Sequence, residues 1–93
     1  MKIMLIEDDA NMRSLLQMLL EMDGHIITPY DGKISINDIL NIIQKNPPDV
    51  LIMDVHLPNL NGIELLKAIR KQLSSNQLRV IMTSGMNLEK ECI

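Results

Sequence analysis

Three apolar runs in this chain each stop at a residue able to hold a cation or a phosphoryl group. Ile3-Met4-Leu5-Ile6 runs into Glu7-Asp8-Asp9, Val50-Leu51-Ile52-Met53 into Asp54, and Val80-Ile81-Met82 into Thr83-Ser84. Short apolar runs separated by stretches of helical period read as buried parallel strands. Parallel strands in an open sheet present their carboxyl ends along one edge, and ligands bind there. The pattern therefore predicts that Glu7, Asp8, Asp54 and Thr83, distant in sequence, meet in one acidic pocket.

The segments between the runs carry helix signals. Asp9 is placed to cap a first helix with Met12, Leu15, Leu16, Leu19 and Leu20 on its apolar stripe, and Gly24 supplies the stop. His25-Ile26-Ile27-Thr28 is a weaker strand ending by Pro29, and Asp31-Gly32 is a turn. Ser35 and Asp38 form a capping-box pattern before a stripe of Ile36, Ile39, Leu40 and Ile43, which Pro47-Pro48 ends. Pro58 and Gly62 bracket a loop. Asn61 and Glu64 cap a third helix, with Ile63, Leu66, Ile69 and Leu73 as its stripe. Ser74-Ser75-Asn76 leads to the fourth strand, and a further helix begins near Asn87. Strict alternation of strand and helix predicts an α/β fold: a doubly wound parallel sheet with right-handed crossovers and strand order 2-1-3-4. The order reverses between strands one and three, which Glu7-Asp8 and Asp54 terminate.

Bulk properties narrow the function. The 93 residues suffice for one small domain. A net charge of −3 with scattered Lys and Arg argues against a nucleic-acid surface, which needs a basic face. No apolar run approaches the roughly 18 residues that span a membrane. The opening Met1-Lys2-Ile3 lacks a secretory signal pattern, and the single Cys92 cannot form an internal disulfide. The expected location is the cytoplasm. The eight Met fill core gaps in a chain without Phe or Trp.

Clustered carboxylates repel one another unless a cation or a shifted pKa relieves them. Asp8 and Asp54 side by side, with Glu7 behind, offer hard oxygen donors suited to Mg²⁺, which keeps several of its waters. Asp9 reads as a helix cap rather than a ligand. A carboxylate beside Mg²⁺ can attack a phosphoryl group and become an aspartyl phosphate, with charge neutralisation and positioning supplying most of the catalysis. Thr83 and Ser84 can donate hydroxyl or backbone N–H groups to that phosphoryl. No Gly-rich phosphate loop follows the first strand, where the chain reads Glu7-Asp8-Asp9-Ala10-Asn11, so nucleotide binding is disfavoured.

Three stretches together resemble the receiver domain of two-component response regulators. They are Ile6-Glu7-Asp8-Asp9, Met53-Asp54-Val55-His56-Leu57-Pro58-Asn59-Leu60-Asn61-Gly62 and Met82-Thr83-Ser84-Gly85. The resemblance covers essentially the whole chain and implies a flavodoxin-like receiver fold over residues 1–93, incomplete at its C-terminus. It implies Asp54 as the phosphoacceptor and Asp8 and Asp54 as direct Mg²⁺ ligands. Glu7 would act through water, and the backbone carbonyl of His56 would complete the ligand set. It also implies Thr83 as the switch hydroxyl that turns toward the phosphoryl group. The donor would be a phosphohistidine on a sensor histidine kinase or phosphotransfer protein.

The family's fifth strand, its lysine and its fifth helix have no match; Lys90, the only lysine beyond Thr83, falls in a helical stretch. The expected function is thus a phosphoaccepting signalling domain rather than an enzyme. The alternative is a non-phosphorylated binding module that engages a kinase or another receiver. An aspartyl-nucleophile phosphatase is disfavoured because such enzymes commonly carry a second acid where this chain has His56. A sheet ending at the fourth strand would leave a bare edge and a bare apolar face, so self-association as a twofold homodimer is expected.

Overall fold

The computed structural model describes residues 1–57, 60–73 and 77–83. Its element order is β1 (Lys2–Ile6), α1 (Ala10–Met22), β2 (Ile26–Tyr30), α2 (Ile36–Lys45), β3 (Val50–Asp54), β4 (His56–Leu57), β5 (Leu60–Asn61), α3 (Gly62–Arg70) and β6 (Arg79–Thr83). The main sheet is parallel with order β2-β1-β3-β6, which is the predicted 2-1-3-4. The helix expected near Asn87 and the Ser74–Asn76 linker lie outside the described residues.

Alternation along the strands divides the core into two faces. Met4, Ile6, Leu51 and Met53 pack with Ile39 and Ile43 of α2, Leu65 and Ile69 of α3, and Leu57 and Leu78. Ile3, Leu5, Ile27 and Val50 form the other cluster, with Leu16 and Leu20 of α1 against it.

The caps fall where the residue types place them. Asp9 Oδ1 accepts from the Asn11 and Met12 N–H groups, Ser35 Oγ from Asp38 N–H, and Asn61 Oδ1 from Ile63 and Glu64 N–H. Gly24 follows α1 at φ +91°, a left-handed conformation that a side chain would strain.

Several details differ from the sequence expectation. Strand β2 runs through Pro29 to Tyr30, because an outer strand can spare one N–H. The α1 stripe is wider than the face it buries. Only the Leu16–Leu20 row meets the sheet, while Leu15 and Leu19, about 100° round the helix, are 46% and 53% exposed. In α3 the buried row is Leu65 and Ile69, beginning at Gly62, and Ile63 points outward. The loop after Asp54 contains an antiparallel pair, His56 with Asn61 and Leu57 with Leu60.

Candidate functional site: an acidic pocket at the sheet edge

Strand register brings the acidic residues together. Ile6 lies beside Met53, so β1 and β3 finish side by side and deliver Glu7-Asp8 next to Asp54. Thr83 ends β6 directly beside Asp54, and its carbonyl accepts the Val55 N–H at 2.8 Å. Glu7 and Asp54 are buried, at 4% and 6% exposure, whereas Asp8 faces solvent. One carboxylate oxygen from each of Glu7, Asp8 and Asp54 lies within 4.8 Å of the others.

Such crowding shows in protonation. Burial raises the Glu7 pKa above its ordinary value. A hydrogen bond with the Asp8 side chain and the charges of Asp54 and Asp8 push the same way, opposed by the Asp9 N–H that Glu7 Oε2 accepts at 3.1 Å. Three carboxylates at this separation, with one strained toward its neutral form, fit a hard divalent cation that would neutralise them.

The pocket walls are set by backbone contacts. Glu7 donates its N–H to the Tyr30 carbonyl at 3.0 Å, extending the β1–β2 ladder by one residue. Arg13 Nη1, from the second turn of α1, donates to the Glu7 carbonyl at 2.7 Å. Gly32, at φ +87°, brings the β2–α2 loop against Asp8. A Cβ there would meet Leu57 Cδ2 at 3.1 Å and Asp8 Cβ at 3.6 Å. Gly62 presses the start of α3 onto the end of β3, where a Cβ would meet Val55 Cα at 3.2 Å and the Asp54 carbonyl oxygen at 3.3 Å.

The sequence profile of the response regulator receiver domain matches residues 3–93. The chain belongs to the response regulator receiver family. This receiver domain is 39% identical over 89 residues to the transcriptional regulatory protein CpxR of Escherichia coli K12, covering 95% of this chain and 35% of CpxR. It is 38% identical over 72 residues to the alkaline phosphatase synthesis transcriptional regulatory protein PhoP of Bacillus subtilis, covering 76% of this chain and 28% of PhoP. The domain spans about a third of the length of these curated relatives. Among solved structures, the Vibrio cholerae chemotaxis response regulator CheY4 superposes with a TM-score of 0.74 at 26% identity. That superposition covers 98% of this chain and 74% of CheY4.

The receiver domain gathers Glu7, Asp8 and Asp54 as predicted and sets Thr83 beside Asp54. His56 stands two residues past Asp54 in β4. Ser84 lies outside the described residues. Asp9 is a cap and no part of the carboxylate cluster. Arg13 also reaches this site, through the Glu7 backbone carbonyl, a partner that leaves no mark in the sequence.

Proposed function

We propose that this receiver domain takes a phosphoryl group from a phosphohistidine onto Asp54, with Mg²⁺ held at Glu7, Asp8, Asp54 and the His56 backbone carbonyl. The observation that carries the reading is the buried Asp54 carboxylate at a strand end, within 4.8 Å of two further carboxylates. A bound Mg²⁺ would neutralise charge on the phosphoryl oxygens and on the pocket. A carboxylate oxygen of Asp54 attacks phosphorus, the P–N bond of the donor breaks, and the imidazole leaves with the bonding pair. Thr83, in register with Asp54, offers its hydroxyl to the new phosphoryl group.

The partner proposed is a sensor histidine kinase or phosphotransfer protein, with no direct nucleic-acid contact by this domain. The proposed location is the cytoplasm; no helix among the described residues is long and apolar enough to cross a membrane. Incubation with acetyl phosphate and Mg²⁺ should add one phosphoryl group by intact-mass spectrometry, and Asp54→Ala should abolish the addition. Equal labelling of the variant would remove Asp54 from its role. An unlabelled parent would favour a binding module instead.

A further inference from the structure

We infer that Arg13 is a positioning residue for the acidic pocket: it holds the β1–α1 turn in the shape that lets Glu7 and Asp8 share a divalent cation with Asp54. The inference rests on the proposed metal-dependent reading of that pocket. Side chains on a helix lean toward its N-terminus, so an arginine one turn into α1 reaches back over the turn preceding the helix. Arg13 anchors its own backbone on that turn, since its N–H donates to the Asp9 carbonyl at 2.8 Å. Its guanidinium then spans six residues back to the Glu7 carbonyl, at 2.7 Å.

That carbonyl lies past the end of the sheet ladder. The β1–β3 pairing stops at Ile6 and Met53, and Val55 gives its N–H to Thr83. Glu7 is thereby fixed at three points: its N–H on the Tyr30 carbonyl, its Oε2 on the Asp9 N–H, and its carbonyl under the Arg13 guanidinium. Fixing the Glu7 carbonyl fixes the Glu7–Asp8 peptide plane, and with it the direction in which exposed Asp8 leaves the chain. A hydrogen bond from a charged donor is roughly twice as strong as a neutral one. Gly32 packs close against the same turn at Asp8. Arg13 thus acts on the cation through the backbone, as outer partners of metal ligands do.

The test is a Mg²⁺ titration of Arg13→Met, which keeps the aliphatic stem and removes the donors. The expected Mg²⁺ dissociation constant is weaker by about tenfold, the lower end for loss of an outer partner. The loss in acetyl phosphate labelling should be larger at limiting Mg²⁺ than at saturating Mg²⁺. Arg13→Lys, which retains charge and a donor, should recover most of the affinity. A purely structural role would lower the metal-free melting midpoint and leave Mg²⁺ affinity of the folded variant at the parent value; that result overturns the inference. Equal labelling loss at limiting and saturating Mg²⁺ overturns it too. Should Arg13→Met fail to fold, Arg13→Gln is titrated instead: a weaker dissociation constant supports the inference, and parent-like affinity overturns it. A parent that binds no Mg²⁺ overturns this inference together with the metal-dependent reading, whereas a binding parent with an unaffected variant overturns this inference alone.

Discussion

Glu7 is buried beside two other carboxylates, and folding raises its pKa, with burial as the largest cause. A carboxyl whose pKa is raised by folding holds its proton more tightly in the native state than in the unfolded chain. Its contribution to stability is therefore complete below the ordinary carboxylate pKa and is lost as pH rises through the raised value. The metal-free domain should show a melting midpoint that falls as pH climbs across that window. Glu7→Gln should flatten the fall and melt higher than the parent at neutral pH without metal. Mg²⁺ should offset the loss in the parent, because binding to the native pocket alone stabilises it. Thermal melts of both proteins from acid to neutral pH, with and without Mg²⁺, measure all three effects. An identical pH slope in Glu7→Gln would assign the strain to another group.

At the scale of elements, α3 and β3 meet with no room to spare. Two effects of Gly62→Ala oppose each other. Alanine is a better helix residue than glycine by up to about 1 kcal/mol, less in the first turn. Against that, the new methyl would lie 3.2 Å from both Met82 Cε and Val55 Cα and 3.3 Å from the Asp54 carbonyl oxygen. The methionine can swing aside, but the Asp54–Val55 backbone cannot without moving the proposed phosphoacceptor. Overpacking of this kind costs about 1–3 kcal/mol, so the steric effect should win and the variant should be destabilised by about 1 kcal/mol. Acetyl phosphate labelling should also slow. Urea unfolding showing equal or greater stability would mean that α3 can back away from β3.

The same contacts show what the chain made legible and what it did not. The strands were readable because burial on both faces makes them continuous apolar runs, and the caps because Asp9, Ser35 and Asn61 have side chains suited to nothing else there. Leu66, Ile69 and Leu73 of the expected α3 stripe pack on the core, but Leu65 is buried in place of Ile63: both are apolar, and only packing against the sheet chooses between them. The β4–β5 pair left no trace because strands of two residues have no period. Arg13 stayed hidden for a different reason: its partner is a backbone carbonyl, which carries no residue signature.

At the largest scale, the described residues cover the sheet unevenly. The row Leu5–Ile52–Ile81 lies on the α1 face, as the register requires. Leu5 is fully covered, Ile52 is half-buried and Ile81 is 52% exposed, so cover fades toward β6. Leu15 and Leu19 of α1 are exposed as well, and among the described residues β6 pairs only with β3. An outer strand beside exposed apolar side chains is a template for association. A twofold arrangement satisfies the patch with a second copy of itself, since an isologous contact needs one self-complementary surface. The 93-residue chain is therefore expected to dimerise through β6 and the sheet face that carries Ile81. Light scattering over a concentration series should show mass rising from monomer to dimer. Ile81→Lys should hold it at the monomer, because a charge brought into that contact cannot be buried unpaired without a cost of several kcal/mol. A chain that stays monomeric at high concentration and unfolds cooperatively would show that this face needs no second copy to cover it.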